Sequence, residues 1–237
     1  MINPNARDRE ALEDTEKHIL ARSIPALSSL RSLVPLVVSS ALPPGKEMRG
    51  AYVLDVGTGR GDAVAPFATA GANVFAIEKR EPVYRAARER FSGYANVTVV
   101  NDYAEAHARR AANDRDLGPS IRYDVVLAVL AVHHTPVEKR PSFFGDLFRI
   151  TNPNGVIVLV EKVVETSPFA DRVTTTAYEK FRTSTGFTTE SKTSPPIYPA
   201  TPEANREFLR SAGYADVFSF YRALGFEGLV ARNSRSW

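Results

Sequence analysis

The chain has 237 residues, 43% of them hydrophobic and 10% aromatic, with no cysteine and a formal charge of only +3. That length suits one α/β domain with a few additions rather than two full domains, and the lack of cysteine excludes disulfides, thiolate metal sites and a cysteine nucleophile. No apolar run approaches the roughly 20 residues that span a bilayer, and the first residues are too polar for a signal peptide, so the expected setting is cytoplasmic with no membrane partner. The arginines of 80–90 are interleaved with Glu81 and Glu89 rather than gathered in a stripe, so nucleic-acid binding is neither implied nor excluded.

In chain order, the spacing of Leu12, Ile19 and Leu20 among charges predicts a helix over 7–22. A second helix follows over 25–41, opened by Pro25 and kinked or ended by Pro35. Residues 42–46 read as a linker, so 1–44 is expected to form a helical cap and 45–237 the main domain. Strands at 51–56, 73–77, 96–100, 123–129 and 155–160 then alternate with helices at 62–70, 82–91, 103–112 and 137–150. Nearly continuous β-branched runs between helices predict a parallel sheet covered on both faces. The stretch 165–201 is rich in Thr, Ser and Pro around a helical core at 169–183. An insertion there lies over the carboxyl ends of the strands, where open α/β sheets bind ligands, and is expected to act as a substrate lid. A helix at 202–212 leads to strands at 216–221 and 226–231, whose short link through Gly225 allows only antiparallel pairing.

The strongest local signal is Val53-Leu-Asp-Val-Gly-Thr-Gly-Arg-Gly-Asp62. Glycines straight after a buried strand let the backbone approach a ligand closely, with a helix amino terminus just beyond. A plain strand-to-helix turn would explain the glycines but not the acid two residues before them. The form Leu-Asp-x-Gly-x-Gly-x-Gly resembles motif I of the class I, Rossmann-like methyltransferases. The resemblance implies a mostly parallel α/β sheet with an antiparallel last strand, and S-adenosylmethionine (SAM) as cofactor. It implies a loop of Gly57, Thr58, Gly59 and Gly61 beneath the methionine part, with Asp55 organising the amino-acid end. Glu78, with Lys79 after it, ends the second strand where the family holds the ribose hydroxyls, a task suited to a carboxylate that accepts two hydrogen bonds. Asn101, Asp102 and Tyr103 follow the third strand, where the family has an acid near the adenine amino group; a helix N-cap is the plain reading of the first two. Val129 ends a fourth strand similar to the one that lines the family's cofactor pocket.

Outside this core the chain resembles the carboxy-SAM synthases. Arg22-Ser-Ile-Pro25, Val160-Glu161-Lys162, Ser211-Ala-Gly-Tyr214 and Leu224-Gly-Phe-Glu-Gly-Leu229 are similar to their entry segment, fifth-strand end and final helix and hairpin. Those enzymes hold the extra carboxylate of their product with an arginine that follows an Asn-Gly-Tyr-Ser element. Here Thr185-Gly-Phe-Thr188 is followed by Glu190-Ser-Lys-Thr193, without arginine, and a lysine lacks the bidentate fork.

These features set out several functions. The first is methyl transfer from SAM to a small molecule. A second makes SAM itself the substrate, remodelled by intramolecular cyclisation or carboxy-SAM synthesis. RNA methylation and a non-catalytic SAM-binding module complete the set. His133 and His134 are the candidates for acid–base work, since imidazole titrates near neutrality. Tyr178, with Arg182 one turn away, is the candidate for steadying a sulfonium through its ring, ahead of Phe181, Phe187, Tyr198 and Tyr221. Four histidines and scattered acids show no ligand spacing, so no metal is expected. The N-terminal helices are placed either to cover the site or to pair two copies as a homodimer.

Overall fold

The computed structural model describes residues 23–113, 122–186 and 196–234. Seven strands form one sheet in the order β3-β2-β1-β4-β5-β7-β6. These are β1 Tyr52–Val56, β2 Asn73–Ile77, β3 Val97–Val100, β4 Tyr123–Val129, β5 Thr151–Lys162, β6 Ala215–Ala223 and β7 Phe226–Arg232. The first five run parallel, while β7 is antiparallel to both β5 and β6. Alternation along each buried strand feeds two cores. Val53, Val125, Leu127, Val156 and Val158 face one side, and Leu54, Val126, Ile157 and Leu159 face the other. A strand buried on both faces needs apolar residues at every position, which is why these runs are unbroken in the sequence.

Helices cover the two faces. The first side carries α1 (Leu27–Ala41), α2 (Ala65–Thr69) and α3 (Glu81–Arg90), and the second carries α4 (Ala104–Asn113), α5 (Arg140–Ile150) and α7 (Pro202–Ala212). Between them in sequence, α6 (Pro168–Ser184) buries none of its residues. No described helix is long and apolar enough to cross a membrane. The predicted helix over 7–22 and the Phe187, Thr188 and 190–193 stretch lie outside the described residues.

Proline explains where three helices differ from the expected elements. The second helix does not end at Pro35; α1 runs through it to Ala41. Leu27, Leu30, Val34 and Val38 form one buried stripe straddling the proline, and that burial offsets the roughly 3 kcal/mol a helix-interior proline costs. Pro66 has no N–H for the Asp62 carbonyl, and α2 starts only at Ala65 instead of 62. Pro141 likewise cannot bond Val137, so a 3-10 turn at Val137–Lys139 precedes α5.

The strand order reverses between β1 and β4, so the connections leave their carboxyl ends in opposite directions and open a crevice there. Gly57 stands at that point with φ +66, and a Cβ on it would come within 2.7 Å of the Ala131 Cβ beyond β4. Gly61 has φ +82, and a Cβ there would meet the Phe91 ring at 2.2 Å. Both need glycine for backbone shape and for space.

Candidate functional site

Two adjoining cavities open around the glycine loop. The smaller, about 100 Å³, lies between the ends of β2 and β4 and is lined by Glu78, Lys79, Asp102, Leu130, Val132 and His134, among others. The larger, about 520 Å³, lies between α1, the glycine loop and α3, with Leu27, Leu30, Arg31, Thr58, Arg90 and Val129 in its wall. Gly57, Arg80 and Leu130 belong to both.

The floor is acidic. Asp55, 1% exposed beneath the loop, has a buried Oδ2 with no hydrogen-bond partner, as does the Thr58 hydroxyl. Burial, assisted by the nearby Glu78 charge, pushes the Asp55 carboxyl up to about 7. Glu78 is buried at the end of β2. Its Oε2 accepts from Gly59 N at 3.1 Å, and its Oε1 from Arg80 N at 2.9 Å and Arg80 Nε at 3.2 Å. One carboxylate thereby joins the glycine loop to the start of α3 and leaves one oxygen with capacity for a ligand hydroxyl. Thr58 N donates to Ile77 O at 2.8 Å, fastening the same two segments.

Beyond β3, the Asn101 side chain donates to Glu78 O at 2.9 Å instead of capping α4. Asp102 accepts from Tyr103 N at 2.8 Å and pairs with Arg110 while lining the smaller cavity. Tyr103 is 61% exposed, with Lys79 Nζ 5.4 Å from its ring centre. Lys79 and Asp102 line the smaller cavity, whereas Gly59 and Val129 line the larger.

The histidines divide. His133 is buried, with Nδ1 2.6 Å from Glu161 Oε2. The same carboxylate accepts from Val132 N at 2.8 Å and His133 N at 2.6 Å. Glu161, at the end of β5, therefore clamps the turn after β4 that walls the smaller cavity. His134 lines that cavity, its Nδ1 2.9 Å from Pro196 O. A carbonyl only accepts, so Nδ1 carries the proton and Nε2 keeps a lone pair. Burial lowers the His134 pKa, favouring this neutral form. The fully buried Arg140 lies behind the wall, donating to Thr135 O at 3.1 Å, to Tyr198 O and to Asn205 Oδ1 at 3.4 Å.

Tyr178 lines neither cavity. Its hydroxyl donates to Ser23 O at 2.8 Å, its edge meets Phe226, and Lys162 Nζ and Arg182 lie 4.8 and 5.7 Å from its ring centre. Tyr221 donates to Pro25 O in the same way. The two tyrosines pin the entry to α1. The sequence reading singled out neither Arg31 nor Arg140 and assigned Glu161 no role. Their partners lie 31, 5 and 65, and 28 and 29 residues away, and only the charge of each residue is visible locally.

The family described as "Methyltransferase domain" matches residues 53–155, the stretch that carries the glycine loop, Glu78, Asp102 and the histidine turn. The chain has the class I, Rossmann-like methyltransferase fold. The chain also resembles two carboxy-SAM synthases. The one from Staphylococcus epidermidis is 23% identical over 144 residues, covering 58% of this chain and 63% of that protein. The one from Shewanella amazonensis is 20% identical over 224 residues, covering 90% of this chain and 86% of the other. Among solved structures, magnesium protoporphyrin IX methyltransferase from Synechocystis, with bound S-adenosylhomocysteine (SAH), superposes with a TM-score of 0.60 at 18% identity. That match covers 97% of this chain and 100% of that one.

The donor set fits S-adenosylmethionine, the cofactor that the sequence resemblance implies. A buried carboxylate faces the loop at the end of β2, orphaned polar atoms of Asp55 and Thr58 lie beneath the glycines, and Gly57 leaves no room for a side chain.

Proposed function

We propose that this protein transfers the methyl group of SAM to a small-molecule acceptor, with the nucleoside in the smaller cavity and the methionine end and acceptor in the larger. The observation that supports this most is the meeting of the two cavities at Gly57, Arg80 and Leu130, directly over the glycine loop. In this reading Glu78 accepts from the ribose hydroxyls, and Asp102, Tyr103 and Lys79 flank the base. Asn101 holds the β2 end in place. Asp55 and Thr58 order the amino-acid end beneath Gly57, Gly59 and Gly61, and Val129 lines its path.

When bound, SAM would supply an electrophilic methyl group on its sulfonium, with SAH as the leaving group. The protein's own contribution is alignment and exclusion of water. The apolar stripe of α1 closes one side, and the Glu161-clamped turn closes the other. His134 offers Nε2 as a hydrogen-bond acceptor to the nucleoside at the wall of the smaller cavity, while His133 sets the wall's shape.

Titration calorimetry with SAM and SAH tests the reading. Asp55→Ala and Glu78→Ala, each shown to be folded, are expected to weaken binding at least tenfold. Unchanged affinity in both removes the site assignment.

A second reading has SAM itself as the substrate. It draws on the carboxy-SAM synthase from Shewanella amazonensis, whose match spans nine-tenths of this chain. Incubation with SAM alone, followed by mass spectrometry, separates the two. Methylthioadenosine or a modified SAM appearing faster than in a protein-free control supports remodelling, and intact SAM supports transfer to an external acceptor.

A further inference from the structure

The larger cavity combines an apolar wall with charged groups that are engaged with one another. Leu27, Leu30 and Val34 of α1 and Val83 of α3 line it, all buried, with Val129 and Leu130 at the end of β4. The three α1 side chains belong to the core beneath, so the packing that holds the helix also fixes the wall. The arginines of the lining are held. Arg31 NH2 lies 2.6 Å from Asp62 Oδ2, and Arg90 NH1 lies 2.6 Å from Asp62 Oδ1. Arg80 is taken by Glu78 from the adjoining cavity, Nε to Oε1 at 3.2 Å, and Arg60 is not free either. Glu89, the remaining acid of the lining, is exposed to solvent. Arg31, Arg80 and Arg90 thus stand against Asp62, Glu78 and Glu89, and the charge around this space balances.

Such a space discriminates by charge without attracting either sign. An ion that enters gives up its water and meets guanidinium and carboxylate groups that already neutralise each other, so the lost hydration is not returned. An uncharged molecule with an apolar body loses little water and gains by burying that body against α1 and β4. A single polar atom on it still finds a donor. Each guanidinium has five N–H groups in a planar fork, and the ion pairs at Asp62 use few of them.

Resting on the methyltransferase reading, we propose that the acceptor is an uncharged small molecule with an apolar body, which lies against Leu27, Leu30 and Val34 while its polar atom accepts from the Arg31 or Arg90 guanidinium. The Asp62 bridge keeps those two guanidinium groups neutralised and thereby turns anions away. The methylene arm of the cofactor's methionine is a second occupant for the same wall, and the test separates the two.

The experiment titrates SAH-saturated protein, by calorimetry, with benzyl alcohol, benzoate and benzylammonium, three probes that share a ring and differ in charge. Benzyl alcohol is expected to bind at least tenfold more tightly than either ion, and equal or tighter binding of one of the ions overturns the proposal. Asp62→Asn leaves Arg31 and Arg90 without their shared carboxylate and is expected to raise benzoate affinity at least fivefold. Unchanged benzoate affinity in the folded variant shows that the balanced charges are not what excludes the anion, and the proposal falls. Val34→Thr keeps the volume of the wall and adds a hydroxyl to it. It is expected to lower benzyl alcohol affinity at least threefold with SAH affinity unchanged, and an unchanged affinity for the alcohol places the probe elsewhere and overturns the proposal. Repeating the titration with 5′-methylthioadenosine in place of SAH removes the methionine arm. If benzyl alcohol binds only then, the wall serves the cofactor and the acceptor proposal falls. Wild-type protein that fails to bind SAH overturns the methyltransferase reading and this inference with it, whereas SAH binding without preference for the alcohol overturns this inference alone.

Discussion

Two segments reach the crevice from opposite sides, and they are held in opposite ways. On one side α1 presents Leu27, Leu30, Val34 and Val38 to the sheet in a single buried stripe. On the other, α6 has no fully buried residue, and apart from the Tyr178 ring against Phe226 the insertion joins the body through polar contacts: Tyr198 N to His133 O at 2.7 Å, Pro196 O at His134, Tyr198 O at Arg140, and the Tyr178 hydroxyl at Ser23. The described part of the insertion lines neither cavity, while α1 lines the larger one. A helix becomes a cavity wall when its apolar period commits it to the core. A helix held by a few hydrogen bonds lies on the surface and is cheaper to displace.

The sharpest break of the comparison is at the clamp on the insertion side. Glu161→Ala leaves two backbone N–H groups and the His133 ring without their buried acceptor, and should lower stability by about 3–5 kcal/mol in urea unfolding. It should also loosen the wall of the smaller cavity, so that SAH and 5′-methylthioadenosine lose affinity by the same factor in calorimetry. On the α1 side, Leu30, only 1% exposed, is the centre of the stripe. Leu30→Ala should cost about 2–5 kcal/mol, and Val173→Ala on α6, at 49% exposure, within about 0.5 kcal/mol. Similar losses at both positions would erase the distinction.

The floor common to both sides gives a pH handle. Asp55 rises from its ordinary 3.8 to about 7 on burial, so the folded, ligand-free protein holds a proton that the unfolded chain releases above 3.8. Stability should therefore fall between those values by about 1.4 kcal/mol per pH unit relative to Asp55→Asn, and the difference should level off above 7. A pH-independent difference would mean that Asp55 stays ionised in its buried place. The smallest effect is expected at Tyr178→Phe, which removes one half-buried hydrogen bond to Ser23 and should cost about 1 kcal/mol. A much larger loss of turnover than of stability would place Tyr178 in the catalytic group.

Most of the sheet was legible because its signals are local. Strands β2 and β4 carry the predicted bounds, and α7 does too, since an apolar run or a 3.6-residue period is written in consecutive residues. The turn at Gly57 to Gly61 and the acid at Glu78 were visible for the same reason, each being defined by its place beside a strand. Element ends were less legible where Pro66 and Pro141 withdrew an N–H, and the run of α1 past Pro35 depended on burial that lies outside the helix itself.

The sequence by itself determined the alternation of strands and helices, the antiparallel final pair and the glycine turn with its two acids, because each follows from spacing over a few residues. Only the tertiary structure decided that α1 walls the larger cavity, that Glu161 clamps a turn 28 and 29 residues away, and that Arg31 and Arg90 share Asp62. A charged residue looks the same in a sequence whether it faces water or a partner across the fold. What distinguishes the two is the distance to the other charge and the water removed between them, and both are set when the chain closes on itself.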